Sequence, residues 1–82
     1  MSRPVFRVYS RQGCHLCEQL LEELVPRLRG RADVEVVDID NRPEWVEAYG
    51  MRIPVVELDG EFVCQYHFDA AAVAAALQRL PR

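Results

Sequence analysis

The chain has 82 residues, of which half are apolar and 28% are charged, and this composition is typical of one small globular domain and excludes a disordered chain. The net charge of −3 argues against a nucleic acid or an anionic membrane as a partner. With three cysteines, no signal-peptide pattern and no apolar run near the roughly 20 residues of a transmembrane helix, the chain resembles neither a secreted nor a membrane protein. We therefore expect a single domain over 1–82 in a reducing cytoplasm.

The first half of the chain predicts a strand, a helix and a second strand. Val5–Tyr9 is short, β-branched and aromatic, as strands often are. Leucines at helical spacing predict a helix from Cys14 to a stop at Gly30, and Pro26 is expected to kink or shorten it because proline lacks a backbone donor. Val34–Ile39 predicts a second strand that is mostly buried and therefore central in its sheet.

A short helix and a β-hairpin are predicted next. Asn41–Glu44 combines a capping residue, an early proline and a glutamate three positions after the cap, which indicates a helix start, and Gly50 ends this helix. The runs Val55–Leu58 and Glu61–Cys64 flank the dipeptide Asp59-Gly60. Asp-Gly between two strand-like runs is a strong signal for a type I′ turn, so the two runs predict an antiparallel pair.

The last predicted element is an alanine-rich helix over Ala70–Leu80, capped by Asp69. The complete order β-α-β-α-β-β-α predicts an α/β fold with one mixed four-stranded sheet and helices on its faces. A β-α-β unit favours two parallel strands joined by a right-handed crossover, so the first two strands should run parallel.

The motif Cys14-His15-Leu16-Cys17 follows the first strand and opens the first helix. Two thiols three positions apart can close a small disulfide and reopen it by thiol–disulfide exchange. The free N–H groups and the positive end of a helix favour a thiolate, so we expect the pKa of Cys14 to lie below that of a free thiol. The other interpretations are half of a zinc site or two small buried residues, but Cys64, His15 and His67 form no second ligand pair. The motif therefore favours a redox dithiol.

Several ordered motifs resemble the glutaredoxin-like proteins of the thioredoxin-fold superfamily, in their compact bacterial form. They are Tyr9–Cys17 with its Cys-His-Leu-Cys core, Val37-Asp38-Ile39-Asp40, Tyr49-Gly50 and Arg52-Ile53-Pro54-Val55. The resemblance covers nearly the whole chain and implies the thioredoxin/glutaredoxin-like fold.

The resemblance also implies roles for individual residues. Cys14 would be the attacking nucleophile and Cys17, deeper in the first helical turn, the resolving thiol. Pro54 would be a cis-proline whose loop lies against the dithiol. Ile53 would then present free backbone N–H and C=O groups to an extended substrate.

The chain departs from the glutaredoxin pattern at three places around this site. His15-Leu16 stands where glutaredoxins have Pro-Tyr, and Arg52-Ile53-Pro54 replaces Thr-Val-Pro. Cys64-Gln65 aligns with paired glycines that admit glutathione in the family. The resemblance implies that His15, Leu16 and the Arg52–Pro54 segment contact the substrate. Their side chains differ from those that glutaredoxins have at these positions.

Several side chains near the motif have two interpretations each. Arg11 and Arg52 either pair with a substrate carboxylate or are solvated charges. His15 is either a cation that stabilises the thiolate or a solvated residue of the helix start. Cys64 is either a buried strand residue or a third thiol that forms an alternative disulfide, and His67 is a turn residue rather than a ligand.

Together these features predict a thiol–disulfide oxidoreductase, acting on protein disulfides or glutathione mixed disulfides without a bound metal or cofactor. Glutathione or a partner reductase would regenerate the dithiol, and we expect a monomer. Two other classes stay open. One is a metal or iron–sulfur carrier that binds through Cys14 and Cys17 with a second subunit, and the other is a non-catalytic adaptor.

Overall fold

The computed structural model describes residues 3–80, and its elements follow one another in the predicted order. The strands are β1 (Val5–Ser10), β2 (Asp33–Asp38), β3 (Val55–Leu58) and β4 (Glu61–Gln65). The helices are α1 (His15–Leu28), α2 (Pro43–Tyr49) and α3 (Ala70–Gln78), with a 3₁₀ turn at Ile39–Asn41. The two terminal residues at each end of the predicted 1–82 domain lie outside the described residues. Among residues 3–80, no helix has the length and the apolar composition needed to cross a bilayer.

The sheet is mixed and four-stranded, in the order β2-β1-β3-β4. β1 runs parallel to β2 over the register Val5↔Asp33 to Ser10↔Asp38, with α1 as the connection, so the predicted parallel pair is confirmed. The prediction that this second strand is mostly buried and central is wrong, because no residue of β2 is buried and β2 lies at an edge of the sheet. β3 pairs with the free side of β1 and not with β2, which leaves β2 at an edge with Val36 51% exposed.

Helix α1 and the hairpin keep most of their predicted features. α1 extends through Pro26 to Leu28, so the proline does not shorten the helix, and Gly30 follows with the positive φ of 80° that favours glycine. In the hairpin, Asp59 (φ 52°) and Gly60 (φ 82°) are both in the left-handed region, as a type I′ turn requires. The predicted turn is therefore confirmed.

The starts of the two later helices have different causes. Asn41 belongs to the 3₁₀ turn, and α2 begins after Arg42 without a side-chain cap, so the predicted Asn41 cap is wrong. Pro43 starts this helix instead, because proline has a preset φ and no N–H to satisfy at the first helical position. α3 does have the predicted cap, since Asp69 Oδ1 accepts a hydrogen bond from the Ala72 N–H at 3.0 Å.

The core lies on both faces of the sheet. Successive strand residues point to opposite faces, so β1 sends Phe6 and Val8 to one side and Tyr9 to the other. The larger cluster packs under α1 and α3, and its helical members are Leu20, Leu24, Leu28, Val73 and Ala76. The smaller cluster packs under α2 and consists of Tyr9, Ile39 and Val55 with their half-buried neighbours Val37, Trp45, Tyr49 and Ile53.

A tyrosine–carboxylate cluster fixes α2 on its face of the sheet. The rings of Tyr9 and Tyr49 stack with centroids 4.0 Å apart, and each hydroxyl donates to a different oxygen of Glu57 at 3.2 Å. Burial, together with these neighbours, raises the pKa of Tyr49 far above its usual range. The contacts join α2 to β1 and β3, and so they hold the chain segment that connects α2 to β3.

Replacing Asp69 with alanine should lower the free energy of unfolding by about 1 kcal/mol, because the Ala72 N–H at the start of α3 loses its acceptor. Asp69→Asn is the matched control, since asparagine caps helices about as well. Urea unfolding of the two variants checks this. Equal losses of stability in both would show that the cap contributes little.

Candidate redox site

The loop between β1 and α1 delivers Cys14 to the start of the helix. β1 ends at Ser10, and Gly13 adopts a φ of 77°, a conformation that side-chain-bearing residues rarely accept. Cys14 follows with an extended backbone (φ −87°, ψ 103°), which is the usual geometry of a residue that caps a helix start. The turn at Gly13 therefore makes a cysteine the capping residue of α1.

The Cys14 and Cys17 sulfurs are joined in a disulfide, with Cα atoms 5.2 Å apart. The Cys17 N–H donates to Cys14 Sγ at 3.1 Å, so the sulfur takes the place of the oxygen that normally accepts at a capped helix start. Cys14 is half-buried, whereas Cys17 is only 1% exposed. One sulfur of the pair can therefore be approached from solvent, and the other lies behind it.

A cleft of about 380 Å³ lies beside Cys14, between the start of α1 and the edge strand β2. Its apolar wall comes from Leu21, Val36 and Val37, and its polar wall from Arg11, Glu18 and Asp38. The edge position of β2, which the sequence did not predict, leaves this space open. A disulfide of moderate size can therefore reach the Cys14 sulfur.

Arg11 lines the cleft as predicted, but its guanidinium is already paired. Nε donates to the two Asp40 carboxylate oxygens at 3.1 and 3.0 Å, and Nη2 donates to Oδ1 at 2.6 Å. The hydrogen bond from Arg11 lowers the pKa of Asp40, and the same contact raises that of Arg11. Sequence reasoning did not identify this partner. The parallel register, which ends at Ser10↔Asp38, is the signal that places both residues just beyond paired strand ends.

The two residues between the cysteines face outward. The His15 side chain is 90% exposed, and its Nδ1 lies 3.7 Å from Glu18 Oε2. Leu16 is exposed as well. This placement fits the interpretation of His15 as a solvated residue whose charged neighbour is a glutamate.

The segment after α2 contains the predicted cis-proline. The Ile53–Pro54 peptide bond is cis, and Pro54 is buried. β3 pairs with β1 at Tyr9↔Val55, so Pro54 lies at the end of the sheet from which the Cys14 loop leaves. The expectation that the Ile53 N–H is free is wrong, because this group donates a hydrogen bond to the Tyr49 carbonyl at 3.1 Å in the turn that ends α2.

Arg52 also has an intramolecular partner. Its Nε donates to Gln65 Oε1 at 2.9 Å, and its guanidinium lies 5.7 Å from the centre of the Tyr49 ring and 6.0 Å from that of Phe62. Gln65 occupies one of the two positions where glutaredoxins carry glycine, so the substitution supplies a contact that the sequence did not reveal. Neither Arg52 nor the following Ile53 and Pro54 line the cleft beside Cys14.

The remaining candidate ligands lie apart from the cysteine pair. Cys64 is 5% exposed within the larger core cluster, and burial raises the pKa of its thiol, so its interpretation as a buried strand residue is confirmed. His67 is exposed in the turn between β4 and α3, as predicted. Across residues 3–80, the side chains of His, Cys, Asp and Glu form no group of three or more that could hold a metal ion.

The chain is similar to known proteins over nearly its whole length. A model of the glutaredoxin-like domain family (DUF836) matches residues 6–78. Protein Ne2328 from Nitrosomonas europaea is 28% identical, with a TM-score of 0.81 and coverage of 93% of both chains. Target protein XcR50 from X. campestris is 34% identical, with a TM-score of 0.72 over 93% of this chain and 99% of that one. The holo form of glutaredoxin C1 from Populus tremula x tremuloides, 21% identical over 90% of this chain and 74% of that one, shares the fold with a TM-score of 0.51.

In the reduced protein at neutral pH, iodoacetamide should label Cys14 at least tenfold faster than Cys64. Cys14 is half-exposed at a helix start, which favours its thiolate, whereas Cys64 is buried and its pKa is raised. Because only the thiolate reacts, labelling of Cys64 should increase as the pH rises. Mass mapping of timed samples measures both rates, with urea-unfolded protein as the control. Equal rates in the folded protein would contradict the placement of these thiols.

Proposed function

The chain belongs to the glutaredoxin-like domain family, whose model it matches over residues 6–78, and from this we propose that it is a thiol–disulfide oxidoreductase that works through Cys14 and Cys17. The thioredoxin/glutaredoxin-like fold and the cysteine pair support a redox role in general. One observation carries the finer proposal. The half-buried Cys14 sulfur accepts the N–H of the almost fully buried Cys17 at the start of α1.

The first chemical step is nucleophilic attack by the reduced protein. The Cys14 thiolate attacks one sulfur of a substrate disulfide, a new S–S bond forms to that sulfur, and the substrate S–S bond breaks. The departing sulfur leaves as a thiolate and takes a proton from water. The N–H groups at the helix start stabilise the charge on Cys14 before the attack, because the Cys17 N–H already points at its sulfur.

The second step resolves the mixed disulfide. Cys17 loses its proton to solvent, and its thiolate attacks Cys14 Sγ, which displaces the second half of the substrate as a thiolate. Two electrons have then passed from the protein dithiol to the substrate, and the protein holds the Cys14–Cys17 disulfide. Two glutathione molecules, or the dithiol of a partner reductase, restore the reduced protein by the same exchange in reverse.

The substrates that fit this scheme are protein disulfides and glutathione mixed disulfides in a reducing cytoplasm. A substrate approaches Cys14 from the cleft, and the exposed His15 and Leu16 that follow Cys14 in the chain are further surface for it to contact. The Arg52–Pro54 segment lies at the same end of the sheet, and any contact that it makes with a substrate does not use the Ile53 N–H, which is already bonded to the Tyr49 carbonyl. No bound cofactor takes part, and the monomer carries both thiols.

Cys17→Ser should convert the protein into a trap. With the resolving thiol removed and no other thiol added, reaction of the reduced protein with bis(2-hydroxyethyl) disulfide should stop at a stable mixed disulfide on Cys14. Cys14→Ser should form no adduct at a comparable rate, because its two remaining thiols, Cys17 and Cys64, are buried. Cys64→Ala, which removes the third thiol without touching the pair, is the matched control.

Intact-mass measurement and peptide mapping of acid-quenched samples identify the adduct and give its rate of formation. An adduct that forms equally fast on Cys17 in the Cys14→Ser variant would reverse the assigned roles. The absence of any adduct in both variants would reject the oxidoreductase.

A further inference from the structure

The Arg11–Asp40 ion pair stands in the wall of the cleft beside Cys14. Arg11 lines that cleft, and it is the cationic residue in the cleft wall that the sequence offered as a receptor for substrate carboxylates. Two of its nitrogens are engaged by Asp40, at 2.6 to 3.1 Å. A planar guanidinium that already binds a carboxylate through two nitrogens has its strongest anion-binding geometry filled.

Asp40 is held in this position by its own surroundings. It is the middle residue of the 3₁₀ turn Ile39–Asn41, and the Ile39 side chain, fully buried in the smaller core cluster, anchors that turn. The Asp40 N–H donates to Asp38 Oδ1 at 2.8 Å, which fixes the backbone on the other side. A carboxylate built into the fold is present at a high effective concentration, so a substrate carboxylate has to displace it to reach Arg11.

Within residues 3–80, no other side chain in the cleft wall supplies a positive charge in place of that of Arg11, which Asp40 neutralises. Glu18 and Asp38 are both carboxylates, and the exposed imidazole of His15 faces Glu18. With Arg11 and Asp40 cancelling each other, the net charge of the side chains in the cleft wall is negative. A substrate with its own carboxylate therefore approaches the sulfur against repulsion.

We propose that Asp40 is a specificity-determining residue that masks Arg11, so that the Cys14–Cys17 pair prefers disulfides with neutral or cationic flanking groups over disulfides that carry carboxylates. This inference rests on the proposed oxidoreductase function and narrows its substrates. Protein disulfides next to neutral or basic residues fit the cleft better than glutathione, which bears two carboxylates. The exchange chemistry is unchanged, since the mask affects only which substrates reach the sulfur.

Three small disulfides of one chain length and different charge test the proposal. They are cystamine, a dication; bis(2-hydroxyethyl) disulfide, which is neutral; and 3,3′-dithiodipropionate, a dianion. Pre-reduced protein is mixed with each at low ionic strength, and the rate of oxidation is read by acid quench and intact mass. Rates with dithiothreitol in place of the protein correct for the intrinsic reactivity of each disulfide.

For the unsubstituted protein we expect the corrected rate with cystamine to exceed that with dithiodipropionate by about fivefold or more, the effect of one unit charge at about 4 Å in water. The preference should largely vanish in 0.5 M salt, where screening shortens the range of exposed charges to about 4 Å. A corrected rate that does not depend on substrate charge would overturn the proposal.

Asp40→Asn should expose Arg11 and raise the rate with dithiodipropionate, relative to the neutral disulfide, by about fivefold. Arg11→Gln should lower that ratio, because it leaves the Asp40 carboxylate uncovered. Glu35→Gln is the matched control. It removes one carboxylate from another exposed pair, Arg7–Glu35 at 2.7 Å, whose residues do not line the cleft, and the ratio should not change.

The outcomes distinguish failure of the Asp40 mask from failure of the proposed oxidoreductase function. If Asp40→Asn and Arg11→Gln both leave the anion-to-neutral ratio unchanged, the mask is rejected while the oxidoreductase stands. If Glu35→Gln raises the anion-to-neutral ratio as much as Asp40→Asn does, the net charge of the protein and not the masking of Arg11 determines the preference. The proposal is then also rejected. If none of the three disulfides oxidises the unsubstituted protein to Cys14–Cys17, the proposed function itself fails.

Discussion

The hydrogen bond from the Cys17 N–H to the Cys14 sulfur is the contact on which the account of this protein depends. At 3.1 Å it satisfies a backbone donor that would otherwise lack a partner at the start of α1. It also holds the two cysteines on one helical turn, one half-exposed and one buried. When the pair is reduced, the same donor faces a thiolate, and a charged acceptor makes that bond stronger. The Cys17 N–H and the Cys14 sulfur therefore serve both the capping of α1 and the stabilisation of the thiolate.

The rest of the fold positions the start of α1 and the residues around it. α1 is fixed by a row of buried leucines under the sheet, and the central strand β1 leads directly into the loop that carries Cys14. On the opposite face, the contacts of Tyr9 and Tyr49 with Glu57 hold α2, and the Arg52–Pro54 segment follows from it. The parallel register of β1 and β2 then sets Arg11 beside Asp40. A short chain thus builds a defined site around β1, whose residues belong to both core clusters.

Local signals in the sequence predicted most of the fold, since their physics acts over a few residues. The type I′ turn at Asp59-Gly60, the Asp69 cap and the cysteine motif at the start of α1 each depend on neighbours in the chain. Apart from the Asn41 cap, most of what failed depends on distant partners. The valines of β2 favoured a central strand, but which strands border β1 is decided by how the later segments cross the sheet. The partners of Arg11 and Arg52 likewise come from tertiary contacts that spacing alone does not encode, whereas the Ile53 N–H is taken up locally, by the Tyr49 carbonyl in the turn that ends α2.

The reduction potential of the Cys14–Cys17 pair is the measurement that tests the central claim most directly. The protein is equilibrated in glutathione buffers of graded redox poise, quenched with acid and alkylated. Its intact mass then gives the fraction that is oxidised. The account predicts a reversible two-electron transition, with a midpoint within reach of the glutathione pool at about −220 to −260 mV and with the disulfide mapped to Cys14 and Cys17. A pair that stays reduced at every poise, or one that no thiol can reduce, would contradict a working dithiol.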